Sequence, residues 1–316
     1  MQSGLEKEYH SLSQLGEIQR LYNSSNLSIR EALFVTTQLV NHGYPEAQGA
    51  IDVLRSKLPQ EAAQEYLNQL QKRHAAVQAV PNLLQILGDE KAVRALYETS
   101  GFVFRPGSTR SSVAVVIFTS KFNNYHLANP ILDSLLSNLG VARLFLKDTT
   151  SSVYFNGVNG LSQSLQALPR AIQELLTQEG CKQAIVTGFS SGGYAALYTA
   201  LHMENIGYAG FATHTDISAS SRLPALRLYN AVRTETSAEC FLDICARLGE
   251  SGDKPKIKLY YGGKDALDRA HALHLSGLEN VNVFEVANAG HHVTSALMER
   301  GELQLPFVEF LEAADY

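Results

Sequence analysis

The chain has 316 residues, of which 45% are hydrophobic, with 26 Lys and Arg against 31 Asp and Glu for a formal net charge of −5. That length and apolar content suit one large domain, or one domain and a smaller helical one, around a sizeable buried core. The mildly acidic balance gives no broad field to attract a phosphate backbone, which argues against nucleic acid as a partner.

Residues 1–99 read as helical. Leu5, Leu12, Leu15, Ile18 and Leu21 recur at helical steps. Ser28 followed three residues on by Glu31 is a capping box opening the next helix. Gly43 closes that helix, Pro45-Glu46 opens another, and a further amphipathic helix runs over 60–78. The expected arrangement is a small antiparallel bundle. No low-complexity linker follows it; the nearest candidate is Arg105-Pro106-Gly107-Ser108. The apolar faces of these helices are therefore expected to pack on the remaining domain and to contribute to a homodimer. The first eight residues carry no apolar signal core and no run of about 18 apolar residues occurs anywhere. A cytoplasmic chain with no membrane span is the expectation.

From about residue 100 the pattern changes. Short β-rich runs at 102–104, 113–118, 143–146, 184–187, 209–213, 256–261 and 281–286 alternate with helical stretches such as 130–139, 161–178 and 193–203. Unbroken apolar runs such as Val113–Phe118 suit strands buried on both faces. The alternation predicts a mostly parallel sheet with helices on both faces, over a domain of residues 100–316. In such sheets functional residues lie just past the carboxyl ends of the strands. The three cysteines are Cys181, Cys240 and Cys245. Their odd number argues against a disulfide framework, and the last two read as thiols of one helix.

After the run 184–187 comes Gly188-Phe189-Ser190-Ser191-Gly192-Gly193, then the small-residue stretch Tyr194-Ala195-Ala196-Leu197. Strand, Gly-x-Ser-x-Gly and helix in that order form a sharp turn that leaves Ser190 projecting. The bare pattern arises by chance, so its place between strand and helix is what makes it informative. Ser191 is the rival nucleophile, but Phe189 stands where the turn asks for glycine. Neither a P-loop Lys-Ser/Thr nor a Gly-x-Gly-x-x-Gly accompanies the glycines. A serine hydroxyl needs a general base and an acid that orients it. Past the run 256–261 stands Asp265, and past the run 281–286 stands His291, so Ser190, Asp265 and His291 are the expected nucleophile, acid and base. Asp268, one helical turn on, and His292 are their rivals. His271 and His274 read as surface or packing residues, and residues 216–255 as a small lid.

The elbow, the Gly262-x-x-Asp265 segment and the Gly290-His291 pair together resemble the α/β-hydrolase superfamily. The resemblance covers about residue 100 to the end and implies an α/β-hydrolase fold preceded by the helical segment. It carries nucleophile, acid and base onto Ser190, Asp265 and His291, and leaves residues 1–99 without a counterpart. It also implies an oxyanion hole from the N–H of Ser191 and a second donor in the loop after an early strand, at Thr119 or Ser120. That loop, Thr119-Ser120-Lys121-Phe122-Asn123, departs from the common His-Gly-Gly form. The expected reaction is hydrolysis of a small-molecule acyl ester or thioester through an acyl-enzyme on Ser190, needing no cofactor and no metal. The alternatives are acyl transfer by the same triad and a non-catalytic, hydrolase-like interaction protein.

Overall fold

The computed structural model describes residues 27–88, 96, 101–223, 227–230, 232, 239–250 and 255–314. The helical reading of residues 5–21 lies outside them. The chain divides into two compact units. The first comprises the chain up to Thr99 together with His126–Leu135 and Ser295–Leu303; the second is built from Ser100–Tyr125, Leu136–Thr294 and Gln304–Tyr316. Two short stretches of the later sequence thus belong with the helices, a partition that a single cut at residue 99 does not describe.

In the first unit α1 (Ile29–His42), α2 (Ala47–Lys57), α3 (Glu61–Gln78) and the short α4 (Leu83–Gly88) follow in order. The capping box is formed: the Ser28 hydroxyl accepts from the Glu31 N–H, and the Glu31 carboxylate accepts from the Ser28 N–H. Gly43 ends α1 at φ 78°, a left-handed conformation that glycine adopts without a Cβ penalty. Apolar positions at three- and four-residue steps (Val35, Leu39, Ile51, Leu54, Leu67, Leu70) then meet in one buried cluster. The later stretches are joined polar-wise. Arg73 donates to Glu299 at 2.8 Å and to Asn41 at 3.1 Å, and Ala128 N–H donates to the Asn41 carbonyl at 3.0 Å.

The second unit is built on a seven-stranded sheet. Its elements are β1 (Phe102–Arg105), β2 (Arg110–Phe118), α5 (Asn129–Ser137, which straddles the two units), β3 (Val141–Leu146), α6 (Leu168–Gln178), β4 (Gln183–Phe189), α7 (Ser191–His202) and β5 (Gly207–Phe211). Then come α8 (Arg227–Asn230), α9 (Ile244–Glu250), β6 (Ile257–Gly262), α10 (Ala266–His274), β7 (Val281–Val286), α11 (Val293–Glu299, also straddling) and α12 (Leu305–Ala314). The order is β1-β3-β2-β4-β5-β6-β7, with β1 antiparallel to β3 and every other pair parallel. All seven expected strands are present.

Alternate strand residues face opposite sides. Ala114, Val116, Phe118, Val186, Tyr208 and Leu259 share one buried cluster with Ile172 of α6, Leu197 of α7 and Ala272 of α10. Phe211, on the other parity, has its ring 6.5 Å from Phe307 of α12. The fold is therefore the expected one, a mostly parallel sheet with helices on both faces.

Several element bounds differ from the sequence reading. The fifth strand starts and stops two residues early: Gly207 passes so close to Phe310 that a Cβ there would lie 2.2 Å from its ring, and Ala212 turns to φ 51°. The helix expected from residue 161 begins at Leu168, because Gly157 and Gly160 take positive φ and hold the preceding residues in turns. Cys240 and Cys245 do not share a helix; only Cys245 lies in α9. Among the described residues no helix is long and apolar enough to cross a membrane.

Candidate active site

Strand β4 delivers the chain into a turn at which Ser190 takes φ 54° and ψ −122°. A non-glycine residue there carries strain on the order of 1–3 kcal/mol. Backbone bonds hold it: Ser190 N–H donates to the Phe211 carbonyl at 2.9 Å, and Gly193 N–H donates to the Ser190 carbonyl at 2.9 Å. The flanking glycines are needed for space. A Cβ at Gly188 would lie 2.7 Å from the Ala196 Cβ, and one at Gly192 would lie 2.2 Å from the Thr119 carbonyl oxygen. Since that oxygen is backbone, it has nowhere to swing. Gly192→Ala is expected to cost about 1–3 kcal/mol in denaturant melts, as overpacking does. It should also displace the loop at Thr119.

The Ser190 Oγ lies 2.8 Å from His291 Nε2, and His291 Nδ1 lies 2.8 Å from Asp268 Oδ2. An ionised carboxylate only accepts, so Nδ1 carries the proton and donates to Asp268, leaving Nε2 to accept from the Ser190 hydroxyl. His292 is exposed, with its ring 5.9 Å from that of His291. The geometry corrects one assignment: the acid bonded to His291 is Asp268, not Asp265. Asp265 is the N-cap of α10, where its Oδ1 accepts from the N–H groups of Leu267 and Asp268, each at 3.0 Å. A carboxylate at the N-cap is drawn to the orphan donors of the first turn. The next carboxylate, one turn into the helix, is the one that reaches His291. The signal was present in the sequence, since an Asp directly before a helical stretch is itself a cap signature.

Electrostatics follow from burial. Asp268 is fully buried, and its Oδ1 has no hydrogen-bond partner among the described residues. Burial pushes its carboxyl up, opposed by the bond and charge of His291 and assisted by Asp265. For His291, burial opposes the charged form; the hydrogen bond and charge of Asp268, with Asp265 behind it, outweigh that and hold the imidazolium above the ordinary histidine range.

The loop after β2 departs from expectation. Thr119 N–H donates to the Leu146 carbonyl at 3.2 Å and Ser120 N–H to the Asn124 carbonyl at 2.8 Å, so both groups assigned as oxyanion donors are already spent on backbone. The N–H of this loop that meets the elbow is that of Lys121, which donates to the Ser191 Oγ at 2.7 Å. Ser191 is buried, and as the first residue of α7 its own N–H has no intrahelical partner.

The segment expected to be a lid is tied down in its described parts. Tyr194 Oη donates to the Cys240 carbonyl at 2.6 Å and accepts from Leu242 N–H at 2.9 Å, and Phe241 stacks on Phe155 at 4.4 Å. His271 is a packing residue: fully buried, it accepts the Thr215 N–H on Nδ1 at 3.1 Å, and burial pushes it down to about 4. His214, also buried, bonds Tyr229 Oη at 3.0 Å. Among the described residues two groups of side chains present ligand-type atoms within 4.8 Å of one another: Asp265, Asp268 and His291, and Asp216, Asp243 and His274. The first is the hydrogen-bonded set just described; in the second, His274 Nε2 lies 2.8 Å from Asp243 Oδ1.

An antiparallel first strand, five parallel pairings beyond it and a serine corner between the fourth strand and its helix make this an α/β-hydrolase fold. Among solved structures the chain is similar to MenH from S. aureus, at 14% identity over 69% of this chain and 100% of that one, with a TM-score of 0.49. It is also similar to an α/β hydrolase enzyme from the metagenome of lagoon sediments at Mar Chica, Morocco (14% identity, 69% and 98% covered, TM-score 0.48). A third is the esterase Est2 of the Planctomycetes species Thermogutta terrifontis (13% identity, 67% and 87% covered, TM-score 0.48). No protein-family model and no curated protein matches the sequence.

Proposed function

We propose that the chain is a serine hydrolase acting on a small-molecule carboxylic ester or thioester, with Ser190 as nucleophile, His291 as base and Asp268 as the orienting acid. The observation that carries the reading is the unbroken hydrogen-bonded chain from Asp268 through His291 to Ser190, both contacts at 2.8 Å. In the first step the Ser190 Oγ attacks the substrate carbonyl carbon as His291 Nε2 takes its proton. The C–O or C–S bond to the leaving group then breaks, and the imidazolium returns that proton to the departing oxygen or sulfur. Water, deprotonated by the same nitrogen, releases the acid and restores Ser190. Asp268 holds the imidazole in the tautomer this needs and stabilises its cation. The N–H groups of Ser191 and Lys121 are the donors assigned to the developing oxyanion, the second turning from the Ser191 hydroxyl to the substrate.

The test is a fluorophosphonate probe with the adduct mapped by mass spectrometry, alongside a panel of p-nitrophenyl esters of graded acyl length. An adduct on Ser190 and turnover of at least one ester are expected. No adduct and no turnover would leave the chain a hydrolase-like interaction protein.

A further inference from the structure

The turn after β3 is built with unusual backbone. Ser151, Val153 and Tyr154 all take positive φ (55°, 54° and 69°), a conformation costly for any side chain and most of all for β-branched Val153. Asp148 holds the turn: its carboxylate accepts from the N–H groups of Thr150 and Val153 and from the Thr150 hydroxyl. The result is that the Tyr154 ring lies buried against Phe118, the last residue of β2, with centroids 5.1 Å apart.

There its hydroxyl meets the start of the loop that faces the elbow. Tyr154 Oη lies 2.8 Å from the Leu146 carbonyl, 2.9 Å from the Thr119 carbonyl and 3.1 Å from the Thr119 Oγ1. The same Thr119 carbonyl is the atom on which a side chain at Gly192 would collide, and two residues on Lys121 N–H meets Ser191. The strained turn thus ends in one hydroxyl that fixes the residue abutting the elbow.

We propose that Tyr154 is a positioning residue for the reaction assigned to Ser190: its hydroxyl sets Thr119, and through it the direction of the Lys121 N–H toward the developing oxyanion. The inference rests on the acyl-transfer reading above. An oxyanion donor is worth about 10²–10³ in kcat, and a donor left in place but loosely aimed forfeits part of that.

The experiment is Tyr154→Phe, which keeps the ring and removes one oxygen. With p-nitrophenyl acetate, kcat is expected to fall roughly 10- to 100-fold with KM within about twofold of wild type. The rate of fluorophosphonate labelling should fall by a similar factor, since phosphonylation charges the same oxygen position. Active-site titration normalises both rates to folded sites, so a lower folded yield does not mimic the effect. A kcat per titrated site equal to wild type would overturn the inference while leaving the acyl-transfer reading standing. So would a loss confined to KM. A wild-type chain that neither labels nor turns over removes both together.

Discussion

Replacing Ser190 with Ala is expected to abolish fluorophosphonate labelling and to lower ester turnover by on the order of 10⁴-fold or more, with the melting temperature kept or raised. The first part follows because Oγ is the atom facing His291 Nε2, and without it no covalent intermediate forms. A factor of 10⁴ corresponds to about 5 kcal/mol of transition-state stabilisation. The second part follows from where the strain sits. Ser190 is held at φ 54° by the bonds of its own backbone to Phe211 and Gly193 rather than by its side chain, so alanine enters the same turn and loses one hydrogen bond to a partly exposed imidazole. Ser191→Ala is the informative companion. Its Oγ accepts the Lys121 N–H, so its removal should lower the rate modestly and leave the Ser190 adduct in place. An adduct on Ser191 in the wild-type chain would sink the assignment.

The second large effect separates two carboxylates one helical turn apart. Asp268→Asn should lower kcat/KM by roughly 10⁴-fold, because a carboxamide that turns its NH₂ to the ring stabilises the wrong tautomer of His291. Asp265→Asn should stay within a few-fold of wild type at neutral pH, since Asn caps a helix as well as Asp does. Its signature lies in the pH profile. In the proposed reaction His291 accepts a proton only when neutral, so activity is expected to be lost as pH falls through its pKa. Burial pulls that pKa down, but Asp268 and, more weakly, Asp265 raise it, so the acid limb should sit above the ordinary histidine value. Removing the Asp265 charge takes away part of the upward push, and the limb should move to lower pH. Measuring kcat/KM against pH for wild type and both variants checks this. A collapse in Asp265→Asn with Asp268→Asn nearly intact would reverse the roles drawn from the geometry.

Local signals in the chain were sufficient wherever the physics is local. The capping box at Ser28 and Glu31 and the glycine stop at Gly43 are decided within one helical turn. The central strand runs β2 to β5 are decided by the apolar side chains that a parallel sheet must bury on both faces. The turn around Ser190 is local in part: Gly188 is needed by Ala196, Gly192 and Gly193 of the same turn and helix, whereas Gly192 is needed by the backbone of Phe118 and Thr119 far away in the chain.

What a run of residues did not hold was the choice among near-equivalent groups that the chain brings together from afar. Asp265 and Asp268 both follow β6 within six residues, and the choice between them depends on how α10 is rotated about its axis against His291, 23 residues on. In the same way Thr119, Ser120 and Lys121 all follow β2. Which of their N–H groups remains for the elbow depends on the carbonyls of Leu146 and Asn124 taking the first two. The partition of the helices is of this kind as well: residues 126–135 and 295–303 sit among the sheet elements in sequence yet belong with α1–α4 in space, as the Arg73–Glu299 pair shows. Composition, periodicity and capping thus determined the elements and the residue types of the site. Only tertiary packing decided which carboxylate, which amide and which helices come together, because those choices turn on the rotation and register of elements far apart in the chain.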